Sequence, residues 1–195
     1  MRKMSFVCYK SLAISGAYTM KITVLTGSPR ANSNSGYLAG EFVRGAESAG
    51  HSVFRFDAGR ANIAPCRACN ACRMDGPCVQ RDDFWLVRDH LLESEAICLC
   101  TPMYYFGFSA QLKTLIDRFY SINGKLATPR KAVLIATYAD NSPREEAPML
   151  LHFDVLLQYL NWQDAGRLMC PGLWPAGAVQ GTKWPEKAFA LGKNI

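Results

Sequence analysis

The sequence holds little charge, few histidines and no long apolar run. Charged residues make up 19% of its 195 positions and hydrophobic residues 49%, which excludes a disordered chain and describes one large buried core. No apolar stretch is long enough to span a bilayer, so a soluble chain without a membrane partner is expected. His51, His90 and His152 share no metal-ligand spacing and read as structural or surface residues. The Gly-Lys-Ser/Thr of a Walker loop is missing. So is the Gly-x-Gly-x-x-Gly of a dinucleotide turn, because Gly27 and Gly36 stand too far apart. No Ser-His-Asp set occurs at a strand-to-helix elbow, which argues against hydrolase chemistry. Repeats, low-complexity tracts and domain linkers are also lacking, so residues 20–195 read as a single domain.

The 22 basic and 16 acidic residues give a net charge of +6, a surface that favours anionic small molecules. Nucleic acid is the rival partner. Yet no Lys/Arg run lies on one helix face, and neither an RNA-binding aromatic signature nor zinc-finger spacing accompanies the charge, so none is expected. The eight cysteines would indicate disulfides in a secreted chain. No secretory signal is legible, however. Lys10 interrupts the apolar stretch after Arg2 and Lys3 too early, and Ser15-Gly16-Ala17 is a poor cleavage site. Met20 runs directly into Lys21-Ile22-Thr23-Val24-Leu25 and reads as a natural start of translation. Residues 1–19 are therefore expected to be an extension outside the core, and the compartment to be reducing cytoplasm.

Hydrophobic periodicity predicts strands at Lys21–Leu25, His51–Phe56, Ala96–Cys100 and Ala132–Thr137, with a weaker one near Arg167–Cys170. Helices are predicted over Ser35–Ala49, from Asp82-Asp83 onward with Phe84, Val87 and Leu91 inward, and over Ser109–Ser121. Two more are predicted, one from Pro143 with Leu150, Phe153, Leu157 and Leu160 as its stripe, the other over Pro185–Leu191. Strict alternation of strand and helix means a parallel sheet wrapped on both faces. The five strands suit the doubly wound order 2-1-3-4-5, which binds ligands at the carboxyl ends of strands one and three.

The sequence places its unusual loops at those ends. After the first strand, Gly27-Ser28-Pro29-Arg30-Ala31-Asn32-Ser33-Asn34-Ser35 offers hydroxyls from Ser28, Ser33 and Ser35, the Asn34 amide, the Arg30 guanidinium and the N–H groups of a helix start. A phosphate monoester needs that density of donors, whereas a helix cap, the competing explanation, needs only one side chain. After the third strand, Thr101-Pro102-Met103-Tyr104-Tyr105-Phe106-Gly107 offers a flat apolar wall, or alternatively part of the core or of a subunit interface. Between the second strand and second helix lie Cys66, Cys69, Cys72 and Cys78. Their compact spacing suits a [4Fe–4S] cluster better than zinc or a catalytic dithiol. Cys98 and Cys100 share a strand face and read as core; Cys8 and Cys170 carry no signal.

The Gly-Ser-Pro-Arg-x-x-Ser-Asn-Ser loop resembles the Gly-Ser-x-Arg-x-x-Ser-Asn-Thr loop of the NADPH-dependent FMN reductase and iron–sulfur flavoprotein branch of the flavodoxin-like superfamily, from about Met20 to the C-terminus. The resemblance implies a flavodoxin-like fold, with the FMN phosphate on Ser28, Arg30, Ser33, Asn34 and Ser35. It implies flavin contacts from Pro102, Met103, Tyr104, Tyr105 and Phe106, with Thr137 and Asp140 closing over the ring from the Thr137-Tyr138-Ala139-Asp140 loop. The family's Ala-x-x-Lys-x-x-x-Asp-Arg helix is matched by Ala110, Lys113, Asp117 and Arg118, the last three expected at helix-end and dimer contacts. It also implies Cys66, Cys69, Cys72 and Cys78 as cluster ligands, although similar loops in relatives without an established cluster leave bare thiols open. NAD(P)H as electron donor, a small-molecule or protein acceptor (a quinone, free flavin or the cluster) and a homodimer or dimer of dimers complete the expectation. A non-enzymatic electron carrier is the alternative. No catalytic side chain is assigned, because flavin chemistry needs only positioning and electronic tuning from the protein.

Overall fold

The computed structural model describes residues 18–195. Cys8 and nearly all of the expected N-terminal extension lie outside the described residues. The chain alternates β1 (Lys21–Thr26), α1 (Asn34–Ser48), β2 (Ser52–Asp57), α2 (Phe84–Glu93) and β3 (Ala96–Tyr104). A two-residue β4 (Gly107–Phe108) follows, then α3 (Ala110–Arg118), a 3-10 turn (Phe119–Ile122) and α4 (Asn123–Leu126). β5 (Arg130–Thr137), α5 (Pro143–Leu160), β6 (Trp162–Cys170) and α6 (Trp184–Lys193) complete it. The parallel strands lie in the order β2-β1-β3-β5-β6, with β4 pairing only to β3. Leaving that hairpin strand aside, this is the expected 2-1-3-4-5 flavodoxin-like sheet. Among the described residues no helix is long and apolar enough to cross a membrane.

The central strands are buried on both faces, which is why they read as continuous apolar runs. Leu25, Ile97, Leu99 and Leu134 pack with Phe153 and Leu157 of α5 on one side. Val24, Cys98, Cys100, Val133 and Ile135 pack with Leu38 and Phe42 of α1 on the other. Cys98 and Cys100 are fully buried, as core residues should be; burial pushes the Cys100 thiol up to about 12. α1 and α6 meet backbone to backbone. A Cβ at Gly45 would lie 2.0 Å from the Phe189 carbonyl oxygen, and one at Gly192 2.0 Å from that of Phe42.

Two elements differ from expectation. β6 starts at Trp162 rather than near Arg167, because on this edge strand Gln163 and Asp164 face water and break the apolar pattern. A register shift opposite Ala132/Val133 breaks it further. The stretch expected as a loop after the third strand instead continues β3 to Tyr104 and turns back through β4. Tyr105 (φ 45°) and Phe106 (φ 65°) form its two-residue tip, both left-handed as a tight hairpin with right-handed twist requires.

Candidate functional site

The chain between β1 and α1 is held from several directions. The Gly27 N–H donates to the Cys100 carbonyl (2.8 Å), and the Gly27 carbonyl accepts from the Ser109 hydroxyl that caps α3 (2.6 Å). Ser33 is the N-cap of α1, its hydroxyl accepting from the Gly36 N–H at 3.0 Å. The cap is therefore real, yet it uses the Ser33 oxygen as an acceptor and leaves the Ser33 O–H able to donate. Ser28 and Ser35 are buried, and the Ser35 hydroxyl has no hydrogen-bond partner among the described residues. A buried hydroxyl without a partner is costly unless a ligand completes it, and this one stands at the positive end of a 15-residue helix. Arg30 is exposed at the mouth.

One cleft gathers most of the expected residues. It is lined by Ser28, Arg30, Ser33, Asn34 and Ser35 from the loop, by Pro102, Met103 and Tyr104 from β3, and by Thr137, Tyr138 and Ala139 after β5. Leu173 and Trp174, after β6, complete the wall. Tyr105, Phe106 and Asp140 are not part of it. The hairpin tip carries Tyr105 outward to 98% exposure, with Phe106 also exposed, and Asp140 turns its carboxylate to the Asn141 N–H. Sequence reasoning missed Leu173 and Trp174. The signal available was their place at the carboxyl end of the last strand, on the ligand edge of such sheets. Tyr138 donates its hydroxyl to the Glu146 carboxylate, and burial together with that acceptor raises its pKa, so it stays protonated.

Asn34 corrects an expectation. Its side-chain amide donates to the carbonyls of Leu173 (3.1 Å) and Pro175 (2.8 Å), and its oxygen accepts from the Val179 N–H (3.1 Å). The side chain is thus spent on pinning the segment after β6 across the start of α1. For a ligand only its backbone N–H remains. Asn34→Ala should lower stability by about 2–4 kcal/mol, summed from three net hydrogen bonds and the groups left unpaired. A melting curve checks the loss, and faster proteolysis near Trp174 identifies the released segment.

Across the loop a second cleft is lined by Arg30, Arg55, Arg60 and Asp57. Among the described residues, of these arginines only Arg60 faces a carboxylate, Asp57 at 3.6 Å, so the surroundings of the loop carry a net positive field.

The cysteine segment is an Ω-like loop closed at its stem by two carboxylates. Asp83 accepts from the Asn62 N–H (2.7 Å), and Asp82 from the N–H groups of Ala64 (3.0 Å) and Phe84 (3.2 Å). Asp82 also meets Arg118 at 2.6 Å, with Arg118 buried and Asp82 half-buried. Burial alone would raise the Asp82 carboxyl, but these donors outweigh it and hold it below its usual value. Arg118 closes the last turn of α3, as expected of a helix end, and its side chain lies under the cysteine loop. Lys113 and Asp117 form an exposed pair at 2.5 Å. Ala68, Asn70, Arg73 and Met74 take positive φ, a concentration of backbone strain typical of functional loops.

Cys66, Cys69, Cys72 and Cys78 all line one small cavity with Arg118, Tyr120 and Ser121. Cys72 is buried, Cys78 half-buried, and Cys66 and Cys69 exposed. Among the described residues, no group of three or more His, Cys, Asp or Glu is arranged to hold a metal ion. These two facts are compatible for a cluster. A single ion draws its ligands into one tight shell, whereas the thiolates of a [4Fe–4S] centre each take a different corner of a larger core. The donor set is four sulfurs lining one cavity, soft ligands of the kind a [4Fe–4S] centre takes.

The sequence pattern of the NADPH-dependent FMN reductase family matches residues 20–163. An iron–sulfur flavoprotein of Archaeoglobus fulgidus is 35% identical over 99 residues, 51% of this chain and 45% of that protein. A second iron–sulfur flavoprotein of that organism is 28% identical over 166 residues, covering 83% of this chain and 82% of its own. The chain spans about half the length of the first curated relatives it matches. Among solved structures, an NAD(P)H:quinone oxidoreductase from Methanothermobacter marburgensis superposes with a TM-score of 0.70 at 17% identity, covering 91% of this chain and 97% of that one. That likeness bears on the fold alone. With the match running through the loop between β1 and α1, the cysteine loop and the β3 wall, the chain belongs to the NADPH-dependent FMN reductase family.

Proposed function

We propose that the chain is an FMN-dependent oxidoreductase that takes electrons from NAD(P)H and passes them to a small-molecule or protein acceptor. The observation that carries this reading is the single cleft joining the donor-rich loop to the Pro102-Met103-Tyr104 wall. Ser28, Arg30, Ser33, Ser35 and the N–H groups at the start of α1 would hold the phosphate; the unpartnered Ser35 hydroxyl fits such a ligand. Pro102, Met103, Tyr104 and Thr137 would orient the ring and keep water from one face. Leu173 and Trp174 would bound the opposite side. When bound, FMN supplies hydride acceptance from the nicotinamide and electron release to the acceptor. No side chain of the cleft is needed as acid or base.

Cys66, Cys69, Cys72 and Cys78 would hold a [4Fe–4S] cluster, which supplies one-electron storage when bound. Their shared cavity favours a second reading, an iron–sulfur flavoprotein that shuttles electrons without its own small-molecule substrate. A homodimer or dimer of dimers is supported by Leu151, Val155 and Tyr159, exposed four residues apart along α5. Residues 20–195 are proposed to be one domain.

Anaerobic purification, a visible spectrum, iron analysis and NAD(P)H addition test the reading together. The expected result is a flavin bleached by NAD(P)H, with about four irons per flavin. An iron-free yellow protein that NAD(P)H bleaches would leave the flavin reading and remove the cluster. A protein that stays colourless with FMN would overturn both.

A further inference from the structure

We propose that Arg118 is the positioning residue of the sulfur site: it fixes Cys78 and favours the reduced, more negative state of the centre held there. The proposal rests on the cluster reading above. Arg118 is 1% exposed, and a guanidinium so deeply buried must be paired and hydrogen-bonded. One arm of its fork, Nη1, donates to the Asp82 carboxylate (2.6 Å) and the Ala64 carbonyl (2.9 Å). The other arm, Nη2, donates to the Cys78 sulfur at 3.3 Å. Phe84 lies under the guanidinium at 5.0 Å. Asp82 cannot swing away, because the Ala64 and Phe84 N–H groups hold the same carboxylate. The direction of the second arm is therefore set by the fold before anything binds.

That arrangement has an electrostatic consequence. A cluster ligated by thiolates gains negative charge on reduction, and hydrogen bonds to its sulfurs tune its potential. A donor from a permanent cation strengthens its bond to sulfur as that charge grows. Asp82 opposes the effect, since its carboxylate offsets part of the guanidinium charge. Arg118 also ties the two sites to one rod. α3 is nine residues, about 14 Å, and its cap Ser109 holds the Gly27 carbonyl at one end while Arg118 holds Cys78 at the other.

The two charges predict opposite shifts. In iron-loaded protein, the cluster and flavin potentials are measured by anaerobic redox titration followed by visible and EPR spectra. Arg118→Lys keeps a cation for Asp82 but loses the fork to sulfur. It should make the cluster about tenfold harder to reduce, about 59 mV for a one-electron couple. Asp82→Asn keeps one acceptor oxygen for the Ala64 N–H and the Arg118 fork, gives up the acceptor for the Phe84 N–H, and removes the opposing charge, so it should shift the cluster potential upward. The flavin potential should stay put in both. Shifts in the same direction, or no shift in iron-replete variants, would overturn the proposal while leaving the cluster reading intact. If Arg118→Lys retains flavin but no iron, the upward shift in Asp82→Asn decides alone. Wild-type protein that takes up no iron would overturn the cluster reading and the proposal with it.

Discussion

Gly59→Ala is expected to weaken FMN binding about a hundredfold, roughly 3 kcal/mol. A Cβ at Gly59 would sit 2.0 Å from the Ser28 carbonyl oxygen and 2.4 Å from its carbon, both backbone atoms with no rotamer to escape into. Gly59 itself is pinned by its N–H to the Thr26 carbonyl at 3.0 Å. Ser28 must therefore move, and with it the donors on either side. Losing the alignment of two charge-assisted hydrogen bonds at about 1.5–3 kcal/mol each accounts for the size of the effect. Overpacking adds about 1–3 kcal/mol of lost stability, so affinity and melting temperature both fall. Gly45→Ala separates the two. It creates an equally close approach between α1 and α6, far from the cleft. It should lower the melting temperature comparably while leaving FMN affinity within a few-fold of wild type, as a flavin fluorescence titration would show.

The second large effect concerns Asp82. Asp82→Ala strands the Arg118 guanidinium in a buried site and removes one of the two carboxylates that close the cysteine loop, a loss of about 3–5 kcal/mol. The effect carries a pH signature. The carboxyl is held below its ordinary value in the folded protein, so its contribution is fully present above the unfolded carboxyl range and is lost as pH falls through its folded value. Wild-type stability should therefore drop on acidification below about pH 4 more steeply than that of Asp82→Ala. Parallel curves for the two proteins in melting experiments across that range would contradict this assignment.

What the sequence made legible follows from local physics. Buried parallel strands read as apolar runs, and the loop crowded with hydroxyls before an amphipathic helix does line a cleft. Cysteines at two-residue spacing read as a convergent set, and the fold brings all four to one cavity. The failures share a different cause. The partners of Asn34 lie 139 or more residues away, on a segment with no strand or helix pattern of its own, so nothing local showed that its amide was taken. Arg118 ends α3 as expected, but its burial against the cysteine loop was not legible because its partners come from a segment 36 to 54 residues earlier. Tyr105 and Phe106 lack the Asn-Gly or Asp-Gly chemistry that marks a two-residue hairpin, so an aromatic run read as a ring wall when two of its members form the turn. Leu173 and Trp174 needed the sheet order, not a motif, to be found.

The central claim is that the loop between β1 and α1 anchors the flavin through its phosphate. Equilibrium titration of the flavin-free protein with FMN and with riboflavin tests it most directly, since the two ligands share the ring and differ only in the phosphate. FMN should bind at least about a hundredfold more tightly, the equivalent of two charge-assisted hydrogen bonds, and inorganic phosphate should compete with it. Equal affinities for FMN and riboflavin, or no binding of either, would contradict the account.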